Sequence, residues 1–87
     1  RLVEVKGIWG SAASQGVRMT GKEVLIATQH QDDYWLYVVD DCQSGGKLFG
    51  VYPDSIGTLG SSMTGEAVFK VPGGALKKHA GEGDTAQ

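Results

Sequence analysis

Glu4 and Lys6 stand two residues apart in the opening stretch Arg1-Leu2-Val3-Glu4-Val5-Lys6-Gly7. The residues around them are apolar and β-branched, which is strand composition. Strand side chains alternate between faces. Leu2, Glu4 and Lys6 therefore share one face and Val3 and Val5 the other, with Glu4 and Lys6 about 7 Å apart at the backbone. A carboxylate on a rigid strand is a hard oxygen ligand for Mg²⁺. A lysine beside it can stabilise charge building on a scissile phosphate, or orient an attacking water. Together they form half of a metal-dependent phosphodiester-hydrolysing site, with Glu4 as metal ligand and Glu4 and Lys6 as catalytic candidates. Such a site needs at least one more carboxylate, usually an Asp, because one Glu holds Mg²⁺ weakly. No Asp precedes Glu4. The same pair is also readable as an edge ion pair contributing about 0–1 kcal/mol.

The elements that must position this face follow in the chain. Thr20-Gly21-Lys22-Glu23 is a capping box, in which each side chain serves the other's backbone amide. It opens a helix over about Gly21 to His30. Glu23 is a secondary site candidate, since this helix follows the Glu4 strand; its capping role is a sufficient explanation by itself. Tyr34-Trp35-Leu36-Tyr37-Val38-Val39 is the strongest strand signal, apolar on both faces as a covered central strand would be. Strand, helix and stronger strand in that order imply a crossover with the two strands parallel.

Lys47 to Tyr52 is a further strand, antiparallel to the central one, and Glu66 to Val71 is the last, stopped by Pro72. Ile8 to Met19 and Ser55 to Gly65 read as loops. In the first, Trp9 is expected to pack on the core; in the second, Ile56, Leu59 and Met63 are the anchors. Ala75 to His79 forms a helical turn with Lys77, Lys78 and His79 at its C-terminus. The expected fold is a small mixed α/β or α+β sheet of about four strands with one main helix packed on it. It is a single domain over residues 1–80 with a flexible tail over 81–87.

Composition bounds the partners. A net charge of −2 gives no general electrostatic footprint for nucleic acid, though it leaves room for a local metal site. Cys42 is the sole cysteine, so no internal disulfide forms and a reducing, cytoplasmic setting is expected. No run of 18 apolar residues exists, so no membrane partner is expected. Two histidines and one cysteine without ligand spacing make no zinc site. Asp32-Asp33 and Asp40-Asp41 read as turn residues. The chain opens directly in a strand without Met, as a fragment of a larger protein would.

Leu2-Val3-Glu4-Val5-Lys6-Gly7, Thr20-Gly21-Lys22-Glu23-Val24 and Asp33-Tyr34-Trp35-Leu36-Tyr37-Val38-Val39 together resemble the NO VEIN-type C-terminal domain over roughly Leu2 to Asp54. That family has no assigned function of its own. It is often found at the C-terminal end of large helicase-like and restriction or defence-associated proteins. It in turn resembles the PD-(D/E)xK restriction-endonuclease-like fold, whose (D/E)xK triplet would fall on Glu4-Val5-Lys6, while the upstream Asp has no counterpart. The resemblance implies a core truncated at the N-terminus and DNA as partner, beside helicase or other domains of a parent chain. With an upstream Asp present, it implies Mg²⁺-dependent phosphodiester hydrolysis. The alternative is a non-catalytic accessory module binding DNA or a partner protein, for which exposed aromatics (Trp9 and Tyr37 or Tyr52) matter more than Glu4.

Overall fold

The opening strand β1 (Leu2–Gly7) pairs with β3 (Tyr34–Asp40) in parallel, in the register Glu4↔Leu36 and Lys6↔Val38. The chain is described here from a computed structural model over residues 1–65 and 68–82. Strand β4 (Lys47–Pro53) pairs antiparallel on the other side of β3, giving the sheet order β1-β3-β4 with β3 central. Helix α2 (Gly21–His30) makes the crossover, and its capping box is present as expected. Thr20 Oγ1 accepts from the Glu23 amide at 3.2 Å, and Glu23 Oε1 accepts from the Thr20 amide at 2.8 Å.

The remaining strands form a second sheet. The stretch Ile8–Met19 is not a plain loop. It holds a short helix α1 (Ala12–Gln15) and runs into strand β2 (Val17–Thr20). Val17 and Met19 are buried while Arg18 and Thr20 are exposed, the alternation of a strand with one covered face. Likewise Ser55–Gly65 contains helix α3 (Ser55–Leu59), started by Asp54, and the short strand β5 (Thr64–Gly65). Strand β6 (Val68–Val71) lies between β2 and β5, all antiparallel, rather than extending the first sheet. Glu66 and Ala67, read as the start of that strand, lie outside the described residues, as does the tail from residue 83. Helix α4 (Gly73–His79) follows, with its three basic residues in the last turn. The class is α+β, with the strands of the described residues divided between two three-stranded sheets.

One core joins the layers. Leu36, Val38 and Tyr52 from the first sheet meet Val17, Met19 and Val71 from the second, with Ala27, Leu59 and Leu76 contributed by the helices. Leu59 is fully buried and Ile56 and Met63 pack against this cluster, as anchors should. Tyr52 is buried too, so it is no docking aromatic; its hydroxyl donates to the Leu76 carbonyl at 2.7 Å and ties β4 to α4. Trp9, expected in the core, is 70% exposed. Asp40 ends β3 as a buried acceptor for the Ala12 amide at 3.2 Å, capping the start of α1.

Candidate functional site

β1 inverts the usual patterning. Leu36 and Val38 face the core, so their register partners Glu4 and Lys6 face inward with them, and both are half-buried. Val3 and Val5 point the other way and stay about half-exposed. An ordinary edge strand would bury the valines and solvate the charges. Departures from local rules of this kind concentrate at functional sites.

Helix α2 lies over this inward face and brings Glu23 to it. The Lys6 ammonium donates to Glu23 Oε1 and Oε2, each at 2.8 Å. The Glu4 and Glu23 carboxyls lie within hydrogen-bonding reach of one another, so Glu4, Lys6 and Glu23 form one cluster. The three residues come from β1 and from the first turn of the crossover helix, and the parallel register is what stacks them. Glu23 thus closes the capping box and also reaches the inward face of β1, since the Oε1 that accepts from the Thr20 amide also receives Lys6.

The two carboxyls titrate in opposite directions. Burial and the Glu23 charge push Glu4 above the ordinary carboxylate range, against the opposing pull of Lys6. Burial also acts to raise Glu23, but hydrogen bonds from Lys6 and the Thr20 amide outweigh it, and Glu23 falls below the ordinary range. Glu4 and Glu23 therefore titrate as one interacting pair.

Tyr34 is a site neighbour that inspection of the sequence missed. It begins β3 opposite Leu2, its hydroxyl is buried, and that hydroxyl has no hydrogen-bond partner. Burial, then the charges of Glu4 and Glu23, push its phenol up to about 12. It stays neutral, a donor beside two carboxylates. The only available hint was its place in an otherwise apolar strand, two residues before the partner of Glu4.

No group of three or more His, Cys, Asp or Glu side chains placed to hold a metal occurs among the described residues. The site's acids are therefore Glu4 and Glu23. The Arg1 guanidinium stacks on the Trp35 ring 4.1 Å away. No helix among the described residues is long and apolar enough to cross a membrane.

No curated protein and no solved structure matches the chain. The match that does occur covers β1, the crossover helix, β3 and most of β4, the elements that assemble the cluster. Residues 1–51 match the family described as Protein NO VEIN, C-terminal, and the chain belongs to that family.

Proposed function

We propose that the chain is a nuclease-like domain acting on phosphodiester bonds of DNA, with Glu4, Glu23 and Lys6 as its site. The observation that carries this is the inward charged face of β1, where two carboxylates and one lysine are gathered at the cost of exposing Val3 and Val5. PD-(D/E)xK-type chemistry calls for such a trio, and Glu23 supplies the second carboxylate that no upstream Asp provides here.

The donor set fits Mg²⁺. That ion is commonly held by one or two carboxylates, with waters and substrate phosphates completing its shell. Glu4 and Glu23 would meet that requirement; burial first and the Glu23 charge second raise Glu4, and a bound divalent cation would offset that second cause. When bound, the ion would polarise a phosphoryl oxygen and make a bound water more acidic. Lys6 supplies a positive charge for the phosphate, Glu23 fixes that ammonium in place, and Tyr34 offers a neutral donor at the floor of the site. Placement beside helicase or other domains of a larger DNA-processing protein belongs to the same proposal.

The test is cleavage of labelled DNA with Mg²⁺ by the chain, Glu4→Gln and Lys6→Ala. Loss of about two orders of magnitude in either variant is expected. Undiminished cleavage in both removes these residues from the mechanism.

One observation favours a second reading, a non-catalytic accessory module that binds DNA or a partner protein. Both Glu23 oxygens already accept from Lys6, so a metal at that carboxylate would compete with an ammonium already in place. Binding that persists in EDTA and ignores Glu4→Gln supports this reading.

A further inference from the structure

Arg18 and Lys70 face one another across the β2–β6 ladder. Like charges directly opposite in an antiparallel pair are destabilising. Neither has an ion-pair partner among the described residues. Both are exposed, on the outward side of their strands. They border a cleft of about 420 Å³ whose other walls are Lys6, Gly7 and Ile8 at the end of β1 and Gln15, Gly16 and Val17 at the start of β2. No carboxylate is among these lining residues. Arg18 and Lys70, uncompensated at one opening, thus make it locally positive in a chain whose net charge is −2, while the charge of Lys6 is balanced by Glu23.

The cleft adjoins the carboxylate cluster. Lys6 belongs to both, since it borders the opening and its ammonium is bonded to Glu23. Gly16 shapes the wall. Its φ is +69°, and a Cβ there would lie 2.1 Å from the Val71 carbonyl oxygen, so the turn presents bare backbone.

We infer that this cleft holds a backbone phosphate of a nucleic-acid strand, with Arg18 and Lys70 as its binding cations and Gln15 as a neutral donor. An anion between Arg18 and Lys70 converts their mutual repulsion into two attractions. Arginine presents a planar fork matched to phosphate oxygens, and lysine adds a point charge. With one phosphate seated here, the strand continues past Lys6 toward Glu4 and Glu23. The choice of nucleic acid as ligand rests on the nuclease-like reading, whereas the unpaired cations and the cleft do not.

The test uses the 87-residue chain in EDTA, with anisotropy of a labelled single-stranded oligonucleotide and melting curves in inorganic phosphate. Arg18→Gln and Lys70→Gln are each expected to weaken oligonucleotide binding about tenfold and to reduce the slope of log K against log salt by about 0.7 per lost contact. Inorganic phosphate is expected to raise the melting temperature of the parent and to leave that of the double variant unmoved. Melting curves also show that the variants fold, and relief of repulsion predicts that each melts no lower than the parent without phosphate. Unchanged affinity and salt slope in the double variant overturn the cleft. A phosphate response without oligonucleotide binding overturns nucleic acid as the ligand. Neither measurement needs Mg²⁺. Cleft binding without cleavage therefore overturns only the nuclease reading, and cleavage with parent-like binding by the cleft variants overturns only the cleft.

Discussion

The Lys6 ammonium sits 2.8 Å from both carboxylate oxygens of Glu23, joining β1 to the first turn of α2 across 17 residues of sequence. Both side chains are only about one-fifth exposed (22% and 20%), so this pair is screened less than a surface ion pair. Glu23→Gln keeps an acceptor for the Thr20 amide and removes the charge; Lys6→Met keeps the stem and removes the ammonium. Each is expected to cost about 1–2 kcal/mol. In a double-mutant cycle read by urea unfolding, the pair should show a coupling of about 1 kcal/mol. Additive single effects would mean that the two charges stabilise the fold separately.

Glu4 and Glu23 give opposite pH signatures. Glu4 has a folded-state pKa above its unfolded value, so its contribution is fully present below the unfolded pKa and is lost as pH rises through the folded one. Glu23 has a folded-state pKa below its unfolded value, so its contribution is present above the unfolded pKa and is lost as pH falls through the folded one. Glu4→Gln should therefore stabilise the chain at pH 7, and its advantage should shrink on acidification through the raised Glu4 pKa. Glu23→Gln should destabilise at pH 7, with a penalty that shrinks as pH drops below 4.5. Urea midpoints from pH 3 to pH 8 check both signs, and a common direction for the two variants would refute the assignment.

Tyr34→Phe removes a buried hydroxyl that has no partner. Leaving such a donor unsatisfied costs about 1–3 kcal/mol, so the variant is expected to be neutral or more stable in thermal melts. A loss of DNA cleavage or binding in that more stable protein would show that the hydroxyl donates to a ligand. Tyr52→Phe is the contrasting control. It breaks a buried bond to the Leu76 carbonyl and should cost about 1 kcal/mol.

Gly16→Ala should destabilise by about 2 kcal/mol or more, since a side chain is strained at that φ and meets the Val71 carbonyl. Gly74→Ala is the control, in a helix and with nothing within 4 Å of the added carbon. It should be neutral or stabilising in the same melts.

Local signals were legible in the sequence and distant pairings were not. The Thr20–Glu23 box names helix α2 because cap and amide lie within one turn, and the Tyr34–Val39 run names the central strand by composition alone. The Glu4/Lys6 alternation shows that the two share a face, though not which face turns inward. Strand β2 escaped notice because Val17-Arg18-Met19-Thr20 gives only two alternations after a Gly/Ser-rich stretch. Its partner lies about 50 residues on, and so the opposition of Arg18 and Lys70 is invisible in one dimension. Trp9 defied the rule that aromatics seek the core. Local chemistry accounts for Glu23 as a capping residue but does not show its bond to Lys6, whereas a carboxylate with two oxygens and four lone pairs can make both contacts.

The position of β1 at the margin of its sheet also bears on folding kinetics. Among the described strands it pairs only with β3, and it reaches that place through a crossover that spans residues 8–33. Closing so long a loop must precede any reward from the parallel ladder, which makes this pairing a late event. An edge strand is also among the units that detach first in local unfolding. Glu4 and Lys6 ride on β1, while Glu23 and Tyr34 stay with the rest of the molecule. The cluster is thus assembled last and dismantled first, and hydrogen exchange at the amides of β1 would time both events.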